Sequence, residues 1–382
     1  MNRLLGLKQA MIACALWMLA TSGQAANVQF DASTSTDFTV ATNWADDMPP
    51  AADGDTHFID NGLTADLTGT ATVSHVVVGD VGVGTLNVNG GTLNIANITG
   101  FPGLAVSSFF SNHTGLGTVN VTNGGTINMT TDDPGTAKRD AGFIGDRADG
   151  TLNIGPGSSV LSPDIIWRVG QFGGPYGDPP HEADGIVNVE GTWTADVIFL
   201  GPSGGDAEVN VSGNGSVFTT RGLDARAVGG MKPFHSSIIR MIGSNASWSS
   251  DDILLDRQGS GINQQPRDHV MFIADSGGVS EMVSRDAILF NDAEVTVDLT
   301  NYHPLAPGER LRLFDAAPGQ LADGHVFGVL NVLGVPSTAG YHLIYEDDPT
   351  GDIFLAVPEP SSVLLLLLGV LSLAPNRRRK VV

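Results

Sequence analysis

Six aspartates, Asp140, Asp164, Asp196, Asp224, Asp252 and Asp286, each introduce a short apolar segment. Four of them stand five residues before a Gly or Asn (Gly145, Gly201, Gly229 and Asn291). If these segments lie in register, the carboxylates stack at an inter-strand spacing of ~4.8 Å. Two such charges repel by roughly 0.9 kcal/mol even in bulk water, so something should offset them. A row of hard oxygen ligands suits Ca²⁺, which makes the six a candidate metal row. The plainer account, and the favoured one, is an Asx-turn at each corner, the carboxylate accepting a backbone N–H two residues on. Other acidic clusters are Asp46-Asp47 with Asp53 and Asp55, Asp132-Asp133, and Asp347-Asp348 with Asp352. None has EF-hand spacing or a calcium-solenoid nonapeptide, so they read as solvated loops.

Hydrolytic chemistry has less support. Gly201-Pro202-Ser203-Gly204-Gly205 matches a nucleophile-elbow pattern, but no helical pattern follows it and a corner turn explains it. The nine His contain no H-E-x-x-H and no close pair. Asp132/Asp133 and Asp251/Asp252 could be offered as acid and base of a polysaccharide hydrolase or lyase. Adjacent strand residues point to opposite faces, which argues against both pairs. No catalytic residue is assigned, and the chain is read as a non-enzyme.

A third chemistry is outward hydroxyl and amide rows. Thr92, Thr126, Ser159, Thr192 and Ser216 should line up on one face, and Asn87, Asn120, Asn153, Asn188 and Asn210 on another. Such arrays can order water, as ice-binding surfaces do, or contact glycans. The structural account is that Thr favours strands and stacked Asn side chains bond along the axis. The first-strand Thr row should stop after three coils, where Ile186 and Glu208 replace it.

These rows require a repeat. Gly84-Thr85-Leu86-Asn87-Val88 returns as Gly117-Thr118-Val119-Asn120-Val121, as Gly150-Thr151-Leu152-Asn153-Ile154, and as Gly185-Ile186-Val187-Asn188-Val189. Decayed copies start at Ala207, Ser237 and His269, so the steps are 33, 33, 35, 22, 30 and 32 residues. Each copy leads to a Gly- or Asn-rich turn, a second short strand such as Thr92-Leu93-Asn94-Ile95, and a more apolar third such as Val197-Ile198-Phe199-Leu200. Three short strands and their turns need roughly 20–24 residues, which the shortest step accommodates. A β-propeller blade would need about four longer strands. Alternation puts Leu86, Val88, Leu93 and Ile95 inside and Thr85, Asn87, Thr92 and Asn94 outside. One coil cannot bury its own apolar face, so the coils must stack. The expected fold is all-β: a parallel β-helix of about seven coils with a β cap at each end. Strand twist and crossover rules predict a right-handed solenoid.

Composition agrees. The chain has 382 residues, 49 Gly, one Cys and a net charge of −22. The acid excess argues against a nucleic-acid partner, and a single Cys excludes a disulfide framework. Both ends are basic. Arg3 and Lys8 precede the apolar run Met11 to Ala20, and small residues end at Ala25, as in a secretory signal peptide. At the other end, Val357-Pro358-Glu359-Pro360 precedes the apolar run Val363 to Leu373 and the cluster Arg377-Arg378-Arg379-Lys380. Removing residues 1–25 (+2) and the tail from Pro358 (+3) leaves −27 for the body.

The tripartite tail resembles the PEP-CTERM sorting signal of bacterial envelope proteins. That resemblance implies passage through the Sec machinery, a short apolar helix holding the precursor in the inner membrane, and recognition by an exosortase. It further implies a final place at the cell surface or in the extracellular polysaccharide. Similar tails occur on some exported ice-binding proteins. Thr42-Asn43-Trp44 and the acidic stretch to Phe58-Ile59-Asp60-Asn61 resemble the lead-in to autotransporter-type β-solenoid repeats. The expected organisation is a signal peptide (1–25), an N-terminal cap (26–72), β-helix repeats (73–293), a C-terminal β module (294–356) and a sorting segment (357–382).

Overall fold

The computed structural model describes residues 26–357, apart from 97, 99–101, 108–114, 132–138, 171–183, 203–204, 225–236, 257–267, 287, 292, 318–326, 337–339 and 347–350. The chain is a parallel β-helix with three faces. The expected signal peptide, and from Pro358 the expected sorting segment with its expected apolar helix, lie outside the described residues. Among the described residues no helix is long and apolar enough to cross a membrane.

Face one is a ladder of ten strands: Leu63–Leu67, Val83–Asn89, Leu116–Thr122, Gly150–Ile154, Gly185–Val189, Ala207–Ser212, Ser237–Ile242, His269–Ile273, Glu294–Asp298 and Val329–Leu333. Face two carries Thr70–Val73, Thr92–Ile95, Thr126–Met129, the first parts of Ser159–Val169, Thr192–Leu200 and Ser216–Asp224, then Ser247–Ser250, Met282–Ser284 and Arg310–Ala316. Face three carries Asn27–Gln29, Thr56–Ile59, His75–Val78, Leu104–Val106, Arg139–Ile144, the second parts of the three long strands, Asp252–Asp256 and Ile288–Asn291.

Two expectations are corrected. Among the described residues face one has ten rungs, not about seven. The extra strands at Leu63, Glu294 and Val329 lack the Gly-Thr-Leu-Asn pattern, so the stack enters both flanking segments. The last copy is also one residue early: Ile238, not Ser237, pairs with His269, so that copy starts at Asp268. The five earlier steps match the register residue for residue.

The core follows from alternation. Leu86, Val88, Leu93 and Ile95 are fully buried, while Thr85, Asn87, Thr92 and Asn94 are half-buried on the outer side. On face two one inward column reads Ala71, Leu93, Ile127, Val160, Trp193, Val217, Trp248, Met282 and Phe314. Each large member stabilises the stack by roughly 1.5–3 kcal/mol through burial. Trp167 and Trp193 meet edge to face at 5.6 Å.

The ends close differently. Residues 36–38 run along the outer edge of Leu63–Leu67, with Phe38 N–H donating to Asp66 O and Asp66 N–H to Thr36 O. Asn43, fully buried, ties that loop by accepting from Thr34 and Ser35 N–H and donating to the Asp37 carbonyl. Trp44 then plugs the core against Phe30, Phe38 and His57. An exposed strand edge invites pairing with another chain, and this loop removes that edge. At the far end Asp352–Ala356 pairs antiparallel with Arg310–Ala316 and with His342–Glu346.

Candidate functional site

The most ordered chemistry on the outside of the molecule is an amide ladder on face one. Asp66, Asn87, Asn120, Asn153, Asn188, Asn210 and Arg240 occupy successive rungs of one column. Each Asn donates its Nδ2–H to the rung before it: Asn87 to Asp66 (2.7 Å), Asn120 to Asn87 (2.9 Å), Asn153 to Asn120 (2.8 Å), Asn188 to Asn153 (2.7 Å) and Asn210 to Asn188 (2.8 Å). Arg240 Nη1 closes the row on Asn210 Oδ1 at 3.0 Å.

The ladder has a direction, and its ends fit it. An ionised carboxylate only accepts, and a guanidinium only donates. Asp66 therefore ends the row where an acceptor is needed and Arg240 where a donor is needed. Chains of aligned hydrogen bonds polarise one another, which strengthens the interior members. Glu208 neutralises the Arg240 end at 2.5 Å, and that hydrogen bond holds its carboxyl below the usual range. Replacing Asn153 by Ala should cost about 1–2 kcal/mol, because it strands the Asn188 donor and the Asn120 acceptor. Urea unfolding measures this, and an unchanged midpoint would show that the ladder contributes nothing.

The five predicted Asn all belong to the row; its charged ends were not predicted. Asp66 sits in a coil without the repeat motif. Arg240 had a legible signal, since the decayed copy Ser237-Ile238-Ile239-Arg240-Met241 places Arg where the motif has Asn.

Face two carries the hydroxyl row. Thr92, Thr126, Ser159, Thr192 and Ser216 align as expected, and Thr70 and Ser247 extend the column to seven. Thr126 and Ser159 hydroxyls lie 3.2 Å apart, and Ser216 donates to Thr192 at 3.3 Å. At ~4.8 Å per rung the column runs ~29 Å. The first-strand Thr column gains Thr64 beside Thr85, Thr118 and Thr151, so it has four rungs before Ile186.

The six aspartates do not form a stack. At the corner between faces two and three, successive coils insert different numbers of residues: Pro163, Asp164 and Ile165 in one, Asp196 alone in the next, Thr220 and Arg221 in the third. Equal spacing to the next glycine therefore does not give equal register. Asp140 pairs with Ile166, Asp224 with Phe199 and Leu254, and Asp252 with Gly222. Asp286 lies in a bend, its N–H on the Asp251 carbonyl. Asp164 and Asp286 are exposed. Asp196 is fully buried and accepts from Thr220 Oγ1 (2.7 Å), Arg221 Nε (2.8 Å) and Arg221 Nη2. Its partners close the bulge, which is a structural use of the charge. Among the described residues no three His, Cys, Asp or Glu side chains come together to hold a metal ion.

The acidic loop of the N-terminal segment consists of Asx-type turns: Asp46 Oδ1 accepts from Met48 N–H and Asp53 Oδ1 from Asp55 N–H. Asp251 is engaged by Arg285 at 2.8 Å. Asp132, Asp133, Ser203, Pro358, Glu359, Pro360, Arg377, Arg378, Arg379 and Lys380 lie outside the described residues, and of the expected sorting motif only Val357 is within them.

No family model, curated protein or solved structure matches this chain.

Proposed function

We propose that this chain is a non-catalytic structural and adhesive surface protein: a stiff acidic solenoid, exported and sorted by an exosortase through its PEP-CTERM-like tail to the cell envelope or its polysaccharide matrix. The observation that carries the reading is the pair of long polar columns on neighbouring faces, a directional amide ladder and a hydroxyl row. Each column is a one-dimensional grid of donors and acceptors with a ~4.8 Å repeat along the solenoid axis. Sugar hydroxyls both donate and accept, so such a grid is suited to lie along a polysaccharide. The rungs are locked by the ladder itself, so little side-chain entropy is lost on contact.

Co-sedimentation of the purified protein with insoluble neutral and acidic polysaccharides tests the reading. Retention on at least one polymer, weakened by Thr126→Arg and Thr192→Arg on the hydroxyl face, is expected. Release of reducing ends or unsaturated sugars would contradict a non-catalytic role. A second reading, ice binding, is favoured by the seven-membered hydroxyl column. It requires inhibition of ice recrystallisation that is lost when Thr92 and Thr126 are replaced by bulky residues.

A further inference from the structure

A shallow, open cleft of about 420 Å³ lies where face two ends against the antiparallel hairpin, lined by residues that include Ser284, Arg285, Arg312, Asp315, Ala317 and Asp352. Its size falls within the ~300–1,000 Å³ of small-molecule sites. Both guanidiniums are fixed from outside it. Arg285 is held by Asp251 Oδ1 (2.8 Å), by the Thr219 carbonyl (2.7 Å) and over the Phe218 ring (4.5 Å). Arg312 is held by Glu281 at 2.6 Å and lies 3.3 Å from Asp315. Each has five N–H donors, so several remain unspent.

Asp352 carries the argument further. It is 5% exposed, and its Oδ1 has no hydrogen-bond partner among the described residues. Arg312 Nη1 stands 3.7 Å from it, near enough for charge balance and too far for a hydrogen bond. A buried polar atom left without a partner requires an explanation. Oδ1 presents no open surface in the empty cleft, so a ligand hydroxyl supplies that partner only by displacing the side chains that cover it. Unspent donors from two arginines beside an unspent carboxylate acceptor match vicinal hydroxyls, which need both. The two arginines balance Asp315 and Asp352, and Glu281 and Asp251 stand just outside. With the body at −27, an anionic ligand would be repelled.

We propose that this cleft binds one unit of a neutral sugar, with Asp352 accepting a sugar hydroxyl and Arg285 and Arg312 donating to neighbouring oxygens. The proposal rests on the adhesive reading and adds a defined subsite at one end of the solenoid.

Calorimetric titration with cellotetraose, isomaltotetraose and tetragalacturonate, run beside the polysaccharide pelleting assay, tests it. A neutral tetrasaccharide should bind, and Ala317→Phe, which fills the cleft without touching a charge, should weaken it at least tenfold. Asp352→Leu, checked for folding by circular dichroism, should do the same. Tetrasaccharide binding unchanged in Ala317→Phe, or absent while the polymer still pellets the protein, overturns the cleft and leaves the adhesive reading standing. Loss of both tetrasaccharide and polymer binding in the unmodified protein overturns both. Preference for tetragalacturonate overturns the assignment to a neutral sugar.

Discussion

Gly79→Ala is expected to destabilise the solenoid by about 3 kcal/mol or more, from two penalties that add at one position. Gly79 has φ of +77°, where an L-residue costs ~1–2 kcal/mol. Its Cβ would also stand 2.1 Å from the Leu116 carbonyl oxygen and 2.6 Å from Gly117 N. Those atoms are the backbone of the next rung, which cannot retreat without opening the ladder, and such overpacking costs ~1–3 kcal/mol. Gly117 reciprocates: a Cβ there would meet Val78 O at 2.2 Å. Gly124→Ala isolates the dihedral cost, because Gly124 has the same φ of +77° with nothing within 4 Å of its Cβ position. It should lose only ~1–2 kcal/mol. Urea unfolding of the two variants decides the matter, and equal losses would mean that the carbonyl contact is irrelevant.

Asp146→Asn is expected to stabilise the protein at pH 8 by of the order of 2–4 kcal/mol and to change little at pH 4. Asp146 directly follows the corner glycine Gly145 and is 2% exposed, with Oδ1 unpartnered among the described residues. Burial pushes its carboxyl up to about 7, against the opposing pull of Arg147 and Arg168. In the unfolded chain the same group ionises near its ordinary value. Between about pH 4 and about pH 7 the folded state therefore holds a proton that the unfolded state has released. Raising the pH through that window erodes stability, and above it the loss is complete. Asparagine keeps the shape and cannot ionise, so it removes the loss. Thermal unfolding at the two pH values measures the difference; the same shift at both would rule out a titrating carboxyl.

Much of this was legible beforehand, because a solenoid repeats its local rules. The five-residue unit from Gly84 to Val88 shows which side chains face inward, and its recurrence alone aligns Asn87, Asn120, Asn153, Asn188 and Asn210. Where a rung is built without the motif, as at Leu63, Glu294 and Val329, the repeat no longer shows that the strand belongs to the stack. Neighbouring rungs still define such strands through backbone hydrogen bonds, which ask nothing of side-chain identity. The same gap hid Asp66, Thr64 and Thr70.

The aspartate row failed for a different reason. Its regular spacing runs along the chain, but register is set across it. One to three residues inserted at the corner before Ile166, Val197 and Gly222 shift each carboxylate by a different amount. Asp196 turned inward to Arg221 while Asp164 faced solvent.

The sequence by itself determined the all-β repeat, its inward and outward alternation and its polar rows, since period-two patterning and stacking are local consequences of residue type. Only the tertiary structure decided how many rungs the stack has, where its corners bulge and what closes its ends. It also decided that the hairpin would bring Asp352 beside Arg312, forty positions away in sequence. These outcomes depend on which backbones meet across coils, and no local pattern records that meeting.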